Sequence, residues 1–265
     1  AHLIDVWHCA APSVDFIAPD LYDDGFKGWT AQYHLHNNPL FIPEIRHTQN
    51  NGVRAFYVFG EHNALGFSPF AIEDGSDEQG TPFVEGYEKL REIMPLVTGW
   101  QEKDAMWGLL FDQNDKERII EDGSLVLTCR HNFTLPWDPR ATDGSVWPEG
   151  GGIIIRIAEN EYIVAGNGIV VEFATASEKA FGKAAESLGE DGFASAGSKG
   201  TGTPARKAWK GTRCGIGSVD EVKVNADGSF SYIRRLNGDQ DHQGRHVRIS
   251  VGDYKTLYVR LYEYQ

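Results

Sequence analysis

The first hundred residues alternate between short apolar runs and amphipathic or polar stretches. Residues 1–15 have the spacing of the last turns of a helix, and residues 16–22, 39–44 and 53–59 are apolar runs that predict strands. Apolar positions at helical spacing predict a helix over residues 82–100. Strands that alternate with helical connections are typical of parallel βαβ units. This part of the chain is therefore expected to belong to the α/β class.

After about residue 104 the pattern changes to many short strand-like segments separated by glycine-rich turns. Ten segments have this form: residues 109–111, 117–120, 124–130, 152–157, 162–164, 168–174, 219–224, 229–234, 247–251 and 256–262. Such a series indicates an antiparallel β-sandwich. Residues 175–206, rich in Ala, Gly, Ser and Lys, are expected to form an exposed insertion with one short helix. The predicted units are residues 1–103 and a β-rich module of residues 104–265.

Composition and charge exclude several classes of function. Hydrophobic residues make up 41% of the 265, which predicts a globular chain with a sizeable core. The formal net charge of -13 argues against binding to nucleic acid, which needs a basic face, and suits a neutral or polar substrate. No apolar stretch is long enough to span a bilayer. The three cysteines are widely spaced and form no zinc-binding pattern.

The carboxyl ends of two predicted strands carry the first chemical signal. Glu44 closes the apolar run PLFIPE, and Tyr22 closes the run FIAPDLY. Side chains at the carboxyl ends of parallel strands face the ligand crevice of an α/β protein. The two strand ends therefore look like neighbouring parts of a catalytic barrel, whereas a single Glu at a strand end is more often a solvated turn residue.

Three segments resemble glycoside hydrolase family 35, the retaining β-galactosidases, in the branch with a C-terminal β-rich module. They are residues 11–22 (APSVDFIAPDLY), 39–44 (PLFIPE) and 66–74 (GFSPFAIED). The resemblance implies the C-terminal part of a (β/α)8 barrel, with its sixth to eighth strands and last helix, followed by an antiparallel β-sandwich. It also implies release of terminal β-galactose from oligo- or polysaccharides, and secretion or a periplasmic location.

The resemblance assigns roles to particular residues. Glu44 would be the nucleophile at the end of the seventh strand, and Tyr22 would contact both the nucleophile and the sugar. Arg46 is a plausible hydrogen-bond donor, although a structural ion pair is the alternative. The family pattern also places Glu61, His62 and Asn63 after the eighth strand, in the wall of the sugar pocket. No metal or organic cofactor is implied.

The sequence departs from the family pattern at the acid/base glutamate, which the family carries on its fourth strand, before the nucleophile. Glu159-Asn160-Glu161-Tyr162 imitates the expected motif, but it follows Glu44 and lies among hairpin-like segments. The chain also starts within a helix-like stretch, and three βα units cannot close a barrel that takes about 250 residues. We therefore expect a C-terminal piece of a longer enzyme, with the upstream half of the barrel as its partner.

Several alternatives remain open at the level of sequence. The chain could be a non-catalytic carbohydrate-binding or interaction fragment, and homo-oligomerisation is undecided. His34 and His36 could present two imidazoles to a metal, but no carboxylate cluster has a familiar zinc spacing. Four tryptophans of the β-rich module, Trp107, Trp137, Trp147 and Trp209, could line a sugar-binding face or pack in the core.

Overall fold

The first hundred residues form a three-stranded parallel sheet with helices between its strands. The computed structural model describes residues 1–74, 81–180, 211–238, 240–242 and 244–265. In the first part of the chain the elements are α1 (Ile4–Ala10), β1 (Asp20–Leu21), α2 (Phe26–Tyr33), β2 (Phe41–Ile45), α3 (Asn51–His62), β3 (Gly66–Pro69) and α4 (Thr81–Trp100). The strand order is β1-β2-β3, with β2 in the centre. The predicted alternation of parallel strands and helices is confirmed.

The register of this sheet fixes which residues share an edge. Asp20 on β1 pairs with Glu44 on β2, and Phe41 at the start of β2 pairs with Gly66 at the start of β3. All three strands run in one direction, so their carboxyl ends lie at one edge of the sheet. Glu44 is therefore near the carboxyl edge of the central strand.

The predicted strand over residues 53–59 is wrong, because this segment lies within helix α3. Nine of the twelve residues of α3 are buried, so its apolar residues surround the helix instead of marking one face. A short apolar run that is buried on all sides has no periodicity that separates a strand from a helix. The third strand of the sheet is β3, further along the chain.

The second part of the chain consists of antiparallel strands, as the turn signals predict. Its elements are β4 (Met106–Phe111), β5 (Glu117–Asp122), β6 (Leu125–His131), β7 (Gly150–Ala158), β8 (Glu161–Asn167), β9 (Ile169–Thr175), β10 (Arg213–Val224), β11 (Phe230–Leu236), β12 (Val247–Ile249) and β13 (Lys255–Tyr264). Six of them form a sheet of order β11-β10-β13-β8-β7-β4, and four form a sheet of order β12-β9-β6-β5. Residues 181–206 of the predicted insertion lie outside the described residues.

Two hydrophobic cores cover the two faces of the six-stranded sheet. One core lies between the two antiparallel sheets and includes Leu127 of the smaller sheet and Val259 of the larger one. The other core joins the opposite face of the larger sheet, with Ile153 and Ile163, to helices α3 and α4. The chain is thus a mixed α/β protein in which the larger antiparallel sheet is the layer shared by both cores.

Glycine allows the closest contact between α3 and this sheet. A Cβ atom added at Gly60 would lie 2.9 Å from Cα of Gly108 on β4. In the reverse direction, a Cβ atom at Gly108 would lie 2.3 Å from the carbonyl oxygen of Tyr57. No side chain fits at either position while the helix backbone lies this close to the strand.

Candidate functional site

A carboxylate and a phenol meet at the carboxyl edge of the parallel sheet. The Tyr22 hydroxyl, just beyond β1, donates a hydrogen bond of 2.5 Å to Oε1 of Glu44 on β2. Glu44 is partly buried, whereas Tyr22 is 39% exposed. The parallel pairing of β1 and β2 puts the two side chains together although 22 positions separate them in sequence.

The local electrostatics reflect this contact. The hydrogen bond to Glu44 is the main cause that raises the pKa of Tyr22 to about 12, and the charges of Glu44 and Asp20 act in the same direction. Tyr22 therefore stays protonated at neutral pH and serves as a hydrogen-bond donor to the carboxylate. Asp20, the register partner of Glu44, was not predicted as a site residue and adds a second negative charge to this edge.

Arg46 contacts the backbone at the end of β1. Its guanidinium donates a short hydrogen bond from Nη2 to the backbone carbonyl of Tyr22. Its backbone N–H donates to the carbonyl of Leu21 at 3.0 Å. Arg46 thus fixes the chain where β1 ends, and this contact gives it a positioning role.

Phe70 is a third residue at this edge, and the sequence reasoning did not single it out. It follows β3 directly, is 56% exposed, and its N–H donates to the carbonyl of Ile45 at 2.8 Å. The next residue, Ala71, has a φ of 53°, so the chain turns sharply here. Aromatic residues therefore follow the strands on both sides of Glu44, and the segment of residues 66–74, which carries part of the family resemblance, was the signal that could have identified Phe70.

The structure does not bring Glu61, His62 or Asn63 to Glu44. These residues end helix α3 and precede Gly66, which pairs with the first residue of β2. Glu44 lies three residues further along β2, or about 10 Å towards the opposite edge of the sheet. Their predicted place depended on a strand over residues 53–59 that is in fact a helix.

Each of these three residues has another role. Oε2 of Glu61 accepts hydrogen bonds from Arg118 Nη1 at 2.5 Å and from the Gly108 N–H at 3.3 Å, which ties α3 to the larger antiparallel sheet. Asn63 adopts the left-handed conformation with a φ of 48° and caps α3. Both residues are therefore explained by the packing of α3.

Buried His62 is hydrogen-bonded to the partly exposed His34 at the amino end of the parallel sheet. The two Nδ1 atoms are 3.0 Å apart, so one ring donates and the other accepts. Burial and the neighbouring His34 lower the pKa of His62 to about 4, and burial also lowers the pKa of His34. Both rings are therefore neutral at neutral pH.

A cavity of about 330 Å³ lies beside the first turns of α2 and α3, the helices that follow β1 and β2. We call it the rim cavity; it is lined by Asp24, Gly25, Phe26, Lys27, Gly28, Arg54, Leu110, Phe111, Asp112, Asp115 and Glu149. Two ion pairs cross it: Lys27 with Asp115 at 2.5 Å, and Arg54 with Glu149 through two hydrogen bonds of 2.7 Å. These pairs join the first turns of α2 and α3 to loops of the β-sandwich.

Residues 159–162, which resemble the acid/base motif of the family, lie in a hairpin. Glu159 and Asn160 form the turn between β7 and β8, where Asn160 has a φ of 58°. The Glu161 carboxylate accepts a short hydrogen bond from the Tyr258 hydroxyl within the six-stranded sheet. The motif is thus explained by turn chemistry and by a contact between strands.

Of the four tryptophans that could line a sugar-binding face or pack in the core, the structure describes three. Trp147 is buried and stacks on His131 with ring centroids 4.9 Å apart, and Trp107 packs against the sandwich core. Trp137 is 49% exposed, and Trp209 lies outside the described residues.

Within the described ranges, no group of three or more His, Cys, Asp or Glu residues is arranged to hold a metal ion. The same ranges contain no helix that is long and apolar enough to cross a membrane. Cys129 and Cys214 are buried, Cys9 is exposed, and all three are free thiols.

Together, these features define a parallel βαβαβ unit with a carboxylate–phenol pair, packed through its helices on a two-sheet antiparallel sandwich. The chain belongs to the family described as a domain of unknown function, DUF5597, whose model matches residues 83–248, well over half of the sequence. The match starts inside α4 and ends in β12, so it covers most of the sandwich and excludes Glu44 and Tyr22. No curated protein matches the chain.

Proposed function

We propose that this chain carries the nucleophile of a retaining β-galactosidase that resembles glycoside hydrolase family 35. The observation that carries the proposal is the 2.5 Å hydrogen bond between Tyr22 and Glu44 at the carboxyl ends of adjacent parallel strands. A retaining glycosidase needs a carboxylate that is held in place and open to the sugar. Glu44 has one oxygen fixed by Tyr22 and lies at the edge where α/β proteins bind their ligands.

The proposal includes a (β/α)8 barrel, of which β1, β2 and β3 would be the last three strands. Their parallel order and the helices between them support this assignment. Among the described residues, β1 and β3 each pair with β2 only, so in that part of the chain no other strand covers their outer edges. An upstream half of the barrel is the partner that we propose for these two edges.

In the proposed reaction, a carboxylate oxygen of Glu44 attacks the anomeric carbon of galactose as the bond to the leaving oxygen breaks. A second carboxylic acid protonates that oxygen and then removes a proton from the water that hydrolyses the glycosyl–Glu44 ester. Tyr22 orients the nucleophile by its hydrogen bond, and Arg46 holds Tyr22 in place. The aromatic rings of Tyr22 and Phe70 flank the position of the sugar.

We assign the acid/base carboxylate to the upstream half of the barrel. The contacts of the internal alternatives support this choice, because Glu61 pairs with Arg118 and Glu161 bonds with Tyr258. The proposed substrates are oligo- or polysaccharides with terminal β-galactose, and the proposed compartment is the periplasm or the cell exterior.

Covalent trapping tests the proposal without depending on the acid/base residue. A 2-deoxy-2-fluoro-β-galactoside with a dinitrophenolate leaving group needs no proton to react, and the fluorine slows hydrolysis of the ester that forms. We expect mass spectrometry of the chain joined to its upstream segment to find one fluorogalactosyl group, on the peptide that contains Glu44. Glu44→Gln should remove the label, and Tyr22→Phe should slow its appearance.

The matched control is Glu61→Gln, which changes the glutamate that lies at the other edge of the sheet. This variant should label at the wild-type rate once its folding is verified by circular dichroism. A label on any other carboxylate, or unchanged hydrolysis of a chromogenic β-galactoside by Glu44→Gln, would remove Glu44 from the proposed role.

A further inference from the structure

The outer face of the six-stranded sheet is covered by helices over only part of its length. Helices α3 and α4 pack on this face, where Phe230 and Tyr258 contact the same core. Further along β13, Tyr262 and Tyr264 are 50% and 43% exposed, whereas Leu261, the residue before Tyr262, packs in the sandwich core. Two half-exposed tyrosines therefore lie on the part of the face beyond the helices.

Glycines on the neighbouring strand hold the first of these rings against the sheet. A Cβ atom added at Gly215 would lie 2.5 Å from Cζ of Tyr262, and one at Gly217 would lie 3.4 Å from its Cδ1. The ring thus occupies the space above β10 that side chains would otherwise fill. The Tyr264 ring follows at a centroid distance of 5.5 Å and an angle of 34°. The two rings form a shallow aromatic strip.

Arg260, two residues before Tyr262 on β13, provides fixed hydrogen-bond donors beside this strip, and Arg235 on β11 shares its partner Asp220. Asp220 is buried at 2% exposure and accepts from Arg235 Nε at 2.9 Å and from Arg260 Nη2. Arg260 Nε also donates to the Ser218 hydroxyl at 2.9 Å. Each guanidinium has five N–H donors, and these contacts leave several of them on side chains that are 54% and 44% exposed.

The combination of ring faces and positioned N–H groups is suited to a sugar. The apolar face of a pyranose ring packs on an aromatic ring, and its hydroxyl groups accept hydrogen bonds from arginine. Asp220 offsets part of the positive charge of the two arginines, and the chain carries a net charge of -13, so a polyanion is disfavoured. A protein partner is disfavoured as well, because the cores of protein–protein interfaces are apolar, whereas glycine and serine lie beside these tyrosines.

We propose that Tyr262 and Tyr264, with Arg260, form a binding site for a neutral polysaccharide. This platform would hold the chain of a polymer on the β-sandwich, separately from the chemistry proposed for Glu44. Binding at the platform needs no hydrolysis, so the two proposals can fail independently.

Affinity electrophoresis in native gels tests the platform with the 265-residue chain. Galactan, galactomannan and β-glucan serve as neutral polymers, and polygalacturonate serves as the anionic one. We expect at least one neutral polymer to retard the chain and polygalacturonate to have no effect. Tyr262→Ala should weaken the retarding interaction by about tenfold or more, and Tyr262→Phe should retain it because stacking needs only the ring.

The matched control is Tyr232→Ala, which removes another exposed tyrosine from the same sheet. Tyr232 pairs with Val222 and Tyr262 pairs with Gly215, so the two sites lie about 23 Å apart along β10. Tyr232→Ala should be retarded as the wild type is. Thermal unfolding of each variant verifies that the fold is intact.

Four outcomes would overturn the platform. The first is that no neutral polymer retards the wild type, and the second is that Tyr262→Ala is retarded equally. The third is a concentration-dependent dimer in gel filtration that Tyr262→Ala abolishes, because the strip would then be a protein interface. The fourth is loss of retardation in Glu44→Gln, which would assign the binding to the edge of the parallel sheet.

Discussion

Gly108→Ala tests whether the helical part and the sandwich unfold as one unit. The added methyl group would lie 2.3 Å from the Tyr57 carbonyl oxygen and 2.7 Å from the Glu61 backbone nitrogen. Ordinary contacts between such atoms are about 3.5 Å, so α3 has to move away from β4 by about 1 Å. This movement also stretches the hydrogen bond from the Gly108 N–H to Glu61.

The expected cost follows from these contacts. Overpacking a well-packed core typically costs about 1–3 kcal/mol, and contact with rigid backbone atoms places this variant near the upper limit. For a protein of this size, about 3 kcal/mol corresponds to a decrease in Tm of about 6–12 °C. Because α3 and the larger sheet share a core, we expect one unfolding transition that moves as a whole.

The assay is thermal unfolding followed both by far-ultraviolet circular dichroism and by tryptophan fluorescence. Gly99→Ala is the control, since Gly99 is exposed in α4 and has no heavy atom within 4 Å of an added Cβ. It should leave Tm unchanged or raise it by about 2 °C. A Tm of Gly108→Ala within about 2 °C of the wild type, or two separate transitions in the wild type, would refute the reasoning.

Three further predictions concern charged and titrating groups. Glu44→Gln should lower the pKa of Tyr22 from about 12 towards its ordinary value of 10.0, as measured by ultraviolet difference titration, because the carboxylate is the main cause of the increase. The free energy of unfolding should fall as the pH is lowered from about 6.5 to about 4, since the unfolded chain binds protons that buried His62 does not. That loss is at most about 3 kcal/mol for His62, and denaturant titrations of His62→Gln should give a shallower pH dependence. Arg54→Met should cost about 2–3 kcal/mol in denaturant unfolding, because it leaves the largely buried Glu149 carboxylate without its partner.

Each of these predictions has a result that would contradict it. An unchanged phenol titration in Glu44→Gln would mean that the Tyr22–Glu44 hydrogen bond is absent in solution. Identical pH profiles for His62→Gln and the wild type would exclude His62 as the titrating group. For the Arg54–Glu149 ion pair, Lys255→Met serves as a control, because its partner Asp253 is half exposed. The free energy of unfolding of this variant should fall by less than about 1 kcal/mol. An equal loss in Arg54→Met and Lys255→Met would contradict the claim that burial of Glu149 makes its ion pair more important.

The sequence was sufficient to predict the strands of the sandwich because each is short, apolar and followed by a recognisable turn. Asp122-Gly123 between β5 and β6 is one example, and Asp227-Gly228 between β10 and β11 is another. It was not sufficient to predict which strands pair, because the order β11-β10-β13-β8-β7-β4 depends on contacts between residues far apart in sequence. The pattern predicts local structure, whereas packing decides the sheet.

At the candidate site, the sequence predicted the residues that lie on strand ends and misplaced those that follow α3. Tyr22 and Glu44 were predicted from apolar runs that end in polar groups, and the structure brings them together. Glu61, His62 and Asn63 were assigned from the family resemblance as residues that follow an eighth strand, and residues 53–59, which were predicted as that strand, form part of helix α3. Asn63 carried a usable signal, since Asn is common at the left-handed position that ends a helix.

The presence of a hydrophobic core on each face of the six-stranded sheet limits how the chain can be truncated. Ile153, Ile155 and Ile163 are fully buried on the face that α3 and α4 cover. A polypeptide of residues 104–265 alone would expose these isoleucines to solvent. An exposed apolar sheet face of this kind promotes aggregation. The sandwich should therefore be expressed, alone or in fusion proteins, only together with helices α3 and α4, which cover this face.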